Sequence, residues 1–192
     1  MFLLRKPTEA TVEQFIAAQR NLPFSYSEVG ATNHRSQTSP AGYTLDHNRT
    51  RLGDGEQTYN QAIAALRSWK QFGLGWVSVV PAGQVLDVGT TVAVQAETFG
   101  FWSLSAARIV YLIDEEQDGT TRFGFAYGTL PDHVETGEER FTVERLQDGS
   151  VWYDIYAFSR PRHPLVRLGY PLTRMLQKRF ARDSMAVMRG LG

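Results

Sequence analysis

The side chains of this chain that can move protons concentrate in one stretch, Gly128-Thr129-Leu130-Pro131-Asp132-His133-Val134-Glu135-Thr136-Gly137-Glu138-Glu139-Arg140-Phe141. Imidazole titrates near neutral pH, so His133 beside Glu135 or Glu139 has the chemistry of a general acid–base pair. The plainer reading is a polar hairpin loop at the rim of a cavity. A second carboxylate, Asp154, alternates with Trp152 and Tyr156. On a strand those three share one face, and a charge among aromatic rings needs a cation, hydrogen-bond donors or water. Arg108, the basic residue of the apolar run Ala106–Asp114, is the expected partner. The spacing leaves open whether Arg108, Glu139 and Asp154 form a structural brace or a functional group.

Other chemistries are missing their residues. The chain has no cysteine, so disulfides, thiolate metal sites and thiol nucleophiles are excluded. His34, His47, His133 and His163 never fall four residues apart, so no helical zinc site is expected. Glycine-rich phosphate loops, H-E-x-x-H and G-x-S-x-G do not occur. Gly53-Asp54-Gly55 reads as a turn with Asp54 and Gln57 as a capping box. The acidic run Asp114–Gly119 lacks the spacing of a calcium loop and reads as a solvated turn. No metal or cofactor is expected.

Twenty basic residues balance twenty acidic ones, which argues against a nucleic-acid partner. The charge is uneven: eleven acids face three arginines between Asp114 and Asp154, and eight basic residues face Asp183 alone from Arg160 onward. Arg167, Arg174, Lys178, Arg182 and Arg189 share one side of a helix, an expected solvated face for which weak contact with an anionic surface is conceivable. The apolar start Met1-Phe2-Leu3-Leu4 is too short for a signal peptide, and no run reaches the ~18 apolar residues of a membrane span. A cytoplasmic monomer or homodimer without membrane insertion is the expectation.

The elements that must position these residues follow from periodicity. Thr8–Arg20 reads as a helix, with Val12, Phe15 and Ile16 on its buried side. Phe24–Pro40 reads as an ordered loop. Tyr43–Arg49 alternates like a strand. A helix runs from Gly55 to about Phe72, with Tyr59, Ala62, Ile63 and Leu66 inward. Period two then takes over, with strands expected over Trp76–Val80, Thr90–Thr98, Ala106–Asp114, Thr121–Leu130, Glu138–Leu146 and Val151–Ser159. A last helix carries Leu165, Leu168, Leu172, Met175, Leu176, Phe180, Val187 and Met188 on one side, with Pro171 kinking or starting it.

Six strands joined by short turns imply an antiparallel meander. With the earlier strand and the last helix they define an α+β, START-like helix-grip fold: a curved sheet of about seven strands around a long C-terminal helix. Residues 1–40 form an N-terminal helical extension and residues 41–192 the ligand-binding domain. A two-residue Asp148-Gly149 turn would pair Gln147 with Ser150 and set Phe141 against Tyr156, Val143 against Asp154 and Arg145 against Trp152. This turns Glu139, Phe141, Trp152, Asp154 and Tyr156 toward the helix, with Arg145 stacked on Trp152; a loop one residue longer reverses the assignment.

Several motifs together carry a family resemblance. They are Phe24-Ser25-Tyr26-Ser27-Glu28-Val29-Gly30-Ala31-Thr32, Leu52-Gly53-Asp54-Gly55, Gly75-Trp76-Val77, Phe123-Gly124-Phe125-Ala126-Tyr127-Gly128-Thr129-Leu130, Gly137-Glu138-Glu139-Arg140-Phe141 and the tail from Phe158 to Ser184. The chain resembles a bacterial and plant family known as a domain of unknown function. That family brings no catalytic residues. Its kinship with START-like lipid- and polyketide-binding proteins, of the birch-pollen-allergen type, implies the fold more than an activity.

The expected function is binding of a small hydrophobic or amphipathic ligand, of lipid, polyketide or isoprenoid type, in a cavity between sheet and helix. Arg108, Phe123, Phe125, Tyr127, His133, Glu139, Phe141, Trp152, Asp154 and Tyr156 are its candidate lining. The alternative is a metal-independent cyclase, hydratase or hydrolase using Asp154, Glu139 or His133 in the same cavity. A third reading is an interaction domain with a filled core.

Overall fold

The computed structural model describes residues 1–33, 40–162 and 169–191. His34, His163, Leu165, Arg167 and Leu168 lie outside them, so the expectations placed on those residues are not addressed.

Alternation places the six strands of the meander and the strand before them, with differences: Phe2–Leu3 pairs as an additional strand, the Tyr43–Arg49 strand runs on through the expected turn to Asp54, and the Ala106–Asp114 strand extends back to Phe101 and on to Gln117 through the acidic run. They are β1 (Phe2–Leu3), β2 (Thr44–Asp54), β3 (Val77–Val80), β4 (Thr91–Thr98), β5 (Phe101–Gln117), β6 (Thr120–Thr129), β7 (Glu135–Arg145) and β8 (Ser150–Pro161). Their order is β2-β8-β7-β6-β5-β4-β3, with β1 paired to β5 and every pairing antiparallel. The helices are α1 (Glu9–Gln19), α2 (Gly55–Arg67) and α3 (Tyr170–Arg189), with a 3₁₀ turn at Lys70–Phe72. This is the helix-grip arrangement: a curved antiparallel sheet with the terminal helix across its concave face.

Thr8 caps α1, its hydroxyl accepting from the Thr11 amide. Asp54 makes no cap bond to α2, contrary to the capping-box expectation; its carboxylate accepts from Arg51 instead, at 2.6 Å. Pro171 stands in the first turn of α3, where its missing N–H is harmless, and so begins the helix.

The β7–β8 hairpin corrects the expected register. Leu146, not Gln147, faces Ser150: the Leu146 amide donates to the Ser150 carbonyl, and Gly149, at φ 83°, closes a three-residue loop. Phe141 therefore faces Ile155, Thr142 faces Asp154 and Glu144 faces Trp152. One residue of slip sends all of β8 to the other side. Val151, Tyr153, Ile155 and Ala157 point toward the helices, while Trp152, Asp154, Tyr156 and Phe158 point to the convex face. Arg145 accordingly lies over Tyr59, and Arg49 takes the place over Trp152.

The convex face is not solvated. Its buried members include Glu138, Arg140, Thr142, Glu144 and Asp154. α1 covers one end of it, packing Val12, Phe15 and Ile16 on Ala93, Leu104 and Ala106. The strap that follows, Phe24–Asn33, crosses the middle. Its anchor is the Glu138 carboxylate, which accepts from the Tyr26 hydroxyl at 2.6 Å, the Gly30 amide at 2.7 Å, the Thr32 amide at 2.9 Å and the Thr32 hydroxyl at 2.5 Å. Burial and the neighbouring charge push the Tyr26 phenol well above its ordinary pKa, so it stays a donor. Arg140 donates to the Thr32 carbonyl and to Asp154, and Asp154 accepts from His47 at 2.6 Å. The partner of Asp154 is thus the pair Arg140 and His47, not Arg108.

Arg108 has a different task. Its guanidinium donates to the carbonyls of Gln19, Arg20 and Leu22, at the end of α1 and just past it. The motifs behind the family resemblance meet here. Phe24–Thr32 supplies the strap, Gly137–Phe141 the anchor, and Gly128 the clearance, since a Cβ at Gly128 would overlap the Tyr26 hydroxyl.

Tyr26→Phe should therefore cost about 1.5–3 kcal/mol, the scale of a hydrogen bond to a charged group. Gly128→Ala should cost about 1–3 kcal/mol in the wild type and clearly less in the Tyr26→Phe background, where the offending oxygen is gone. Urea unfolding of the four proteins reads the cycle; strictly additive costs would mean that the strap does not sit on Gly128.

Candidate functional site

Two covers share the concave face. α2 and the 3₁₀ turn seal one half: Trp69 meets the Phe125 ring at 4.9 Å, and Phe72 meets Phe141 at 5.4 Å. Phe123, Phe125 and Phe141 face inward as expected, but they fill this core and do not line open space. α3 covers the other half unevenly. Its C-terminal part closes on the sheet through Ala181, Ser184 and Met188, with a 2.9 Å bond between the Ser184 and Tyr153 hydroxyls. Its N-terminal part stands away. Leu172 and Met175, expected to pack on the sheet, are 41% and 53% exposed, and Phe180 is only half-buried, against Phe72.

The stand-off leaves a cavity of ≈ 780 Å³ between sheet and helix. That volume suits one ligand of metabolite or drug size. Phe72, Val94, Ala96, Ile155, Leu176 and Phe180 give it apolar walls, and Phe2, Leu4, Phe101 and Leu172 an exposed apolar rim.

Polar groups gather at one end. Cross-strand pairing sets Asp46, Ala157, Glu139 and Tyr127 in one row across β2, β8, β7 and β6. The Tyr127 hydroxyl donates to Glu139 at 2.6 Å. Burial raises the Glu139 pKa to about 7; the Tyr127 bond opposes the rise, and Glu135 and Asp46 add to it. Burial likewise raises Glu135, against the bond from Gln177. Gln177 donates to Glu135 at 2.5 Å and to Ser159 at 3.1 Å, and Arg174 grips both oxygens of Asp46 at 2.6 Å. These bonds tie the near end of α3 to the sheet. They also turn Arg174, expected on a solvated stripe, inward.

His133 lines the same end. Burial lowers its pKa to about 4, so the ring is neutral at pH 7. Its Nδ1 stands 3.0 Å from the Glu135 amide and 3.1 Å from the Glu135 carbonyl, so the backbone of Glu135 fixes the ring's position. No side-chain bond joins His133 to Glu135 or Glu139 among the described residues. Of the ten expected lining residues, then, Tyr127, His133 and Glu139 reach the cavity together. Phe123, Phe125 and Phe141 lie in the adjoining core, and Arg108, Trp152, Asp154 and Tyr156 belong to the convex side. Asp46, Asn48, Gln177 and Phe72 were missed. The even-numbered polar residues of β2 were the available signal, because Thr44, Asp46 and Asn48 recur on one face of a strand whose register to β8 could not be read. Among the described residues no group of His, Asp or Glu has metal-site geometry, and no helix is long and apolar enough to cross a membrane.

Comparison with known proteins places the chain in a family. Residues 25–187 match the family described as Domain of unknown function (DUF1990), and the chain belongs to it. A UPF0548 protein of Dictyostelium discoideum is 40% identical over 96% of this chain and 92% of its own length. A UPF0548 protein of Deinococcus radiodurans is 39% identical over 95% of this chain and 94% of its own. Among solved structures, a hypothetical protein from Helicobacter pylori superposes with a TM-score of 0.51 at 12% identity, covering 88% of this chain and 95% of that one. That likeness is one of fold.

The raised Glu139 pKa has a stability consequence. Glu139 holds its proton more tightly folded than unfolded, so it adds no penalty below the ordinary carboxyl value of 4.5, and destabilises as pH rises from there through about 7. Glu139→Gln should raise Tm at pH 8 by roughly 2–4 °C, the equivalent of about 1 kcal/mol, and leave it unchanged at pH 4. Thermal melts at the two pH values check this; an equal effect at both would place Glu139 in water.

Proposed function

We propose that this protein binds a small amphipathic ligand in the cavity between the sheet and α3. The supporting observation is the cavity itself: ≈ 780 Å³, walled by apolar side chains, with Tyr127 and Glu139 at one end to orient a polar head. Removing an apolar tail from water at about 25 cal/mol per Å² supplies the affinity, and the few polar groups supply direction. The exposed apolar rim gives such a tail a path inward.

One observation favours a second reading, acid–base catalysis in the same cavity. A carboxyl with a pKa of about 7 is protonated and ionised in comparable amounts at neutral pH, the condition for a general acid or base. Glu139 would then be the proton carrier, with Tyr127 holding it in place.

Nile red, a neutral solvatochromic dye, tests the binding reading. Wild-type protein should take it up with a blue-shifted emission. Ala157→Trp and Ala96→Trp, which put an indole into the open volume, should each weaken uptake at least tenfold while the protein still melts cooperatively. No uptake by the wild type, or uptake unaffected by both variants, would reject the cavity as the site.

A further inference from the structure

Which head group the cavity accepts follows from where its donors and acceptors already point. This inference rests on the binding reading and narrows it. Most donors near the polar end are committed within the protein; the Asn48 amide and the exposed Lys178 ammonium are the exceptions among the described lining residues. The Tyr127 hydroxyl gives its proton to Glu139, the Gln177 amide serves Glu135 and Ser159, and the Arg174 guanidinium serves Asp46 and Gln177. The neutral His133 ring carries one N–H. The acceptors are not committed in the same way. Glu139 has one oxygen on Tyr127 and no other partner among the described residues, and Glu135 has one oxygen on Gln177. Both residues line the cavity, as does Asp46.

The charges lean the same way. On the concave face Asp46 comes from β2, Glu135 and Glu139 come from β7, and α3 brings Arg174 and the exposed Lys178. Arg174 cancels Asp46 through two bonds of 2.6 Å, and Lys178 stands at the solvent side. Arg174 also acts on Glu135 through space, which leaves Glu139 as the carboxyl with no cation acting on it. A second carboxylic acid brought to this end would meet two acids, with the uncommitted Lys178 out at the solvent side, a costly arrangement in a site of low polarity. An ammonium head would give its protons to the open oxygens of Glu139 and Glu135.

We infer that the cavity selects an amphiphile whose head is a primary amine or a similar cationic donor, held by Glu139, and that it disfavours fatty acids. No covalent step is involved. At pH 7 the free protein carries Glu139 partly protonated, so seating an ammonium group must expel that proton to solvent. Amine binding is therefore coupled to proton release, and alcohol binding is not.

Three probes with one tail separate the possibilities: 1-octylamine, 1-octanol and octanoate, each displacing Nile red from the wild-type protein at pH 7. The expected order is amine, then alcohol, then octanoate, with at least tenfold between the first and the last. Calorimetry in two buffers of different ionisation enthalpy should read about half a proton released per octylamine, from a group titrating near 7, and none for octanol. Glu139→Gln should bring the amine-to-alcohol ratio to within about threefold of one. If Nile red binds and octanoate displaces it as well as octylamine does, or octylamine releases no proton, the head-group inference is overturned while the cavity stands. If Nile red does not bind at all, the binding reading itself has failed.

Discussion

The buried Glu138 carboxylate is the contact on which the rest of the arrangement depends. A carboxylate under a sheet is stable only if its lone pairs are met, and four donors from the strap meet them. The strap has little periodic apolar pattern of its own to hold it, so this one group decides where Phe24–Asn33 lies. Its placement in turn buries Arg140, which satisfies the Thr32 carbonyl and reaches Asp154. The Tyr111 hydroxyl completes the set through Thr32. Gly128 and Gly137 follow from the same geometry: the first gives room to Tyr26, and the second lets the backbone approach the Phe158 carbonyl, at a φ of 151° that disfavours other residues.

Sealing the convex face in this way leaves the concave face to do something else. There α2 and the 3₁₀ turn fill half of the curve with aromatic rings, and the C-terminal half of α3 closes on Tyr153. The remaining space stays open because the near end of α3 is tied by side chains that reach across a gap. Arg174 to Asp46 and Gln177 to Glu135 hold the helix at arm's length. The same bonds that keep the cavity open occupy the donors of Arg174 and Gln177, which links its volume to its acidic lean.

Much of the fold was legible in the sequence. Period-two alternation and glycine turns marked the strands of the meander, and the spacing of Val12, Phe15 and Ile16 marked α1. Glu139 was legible as an inward residue because β7 sets it on the face of Phe141 and Val143, and Tyr127 because β6 sets it on the face of Phe123 and Phe125. The β8 side was not. A three-residue loop through Gln147, Asp148 and Gly149 and a two-residue Asp-Gly turn look alike as strings of letters, yet they differ by one place in register and so by a whole face for Trp152, Asp154 and Tyr156. The convex side was misread for a related reason. Charged residues on a strand usually mean solvent, and only a cover with matching donors makes them interior; the donors here are backbone amides of an irregular strap, which no side-chain pattern reveals. Arg108 sits in an apolar strand and so suggests a carboxylate partner, but its acceptors are backbone carbonyls at and just past the end of α1, groups no side-chain pattern displays.

The proposed function divides the sheet's labour: the convex side locks the fold, and the concave side is the proposed ligand site. Hydrogen exchange with and without saturating Nile red tests it most directly. Added protection is expected at Tyr127–Thr129, at Glu135–Glu139 and along the first half of α3, with the strap amides of Gly30 and Thr32 already slow and unchanged by the dye. Protection appearing in the strap and at His47, with the amides of α3 unmoved, would contradict it.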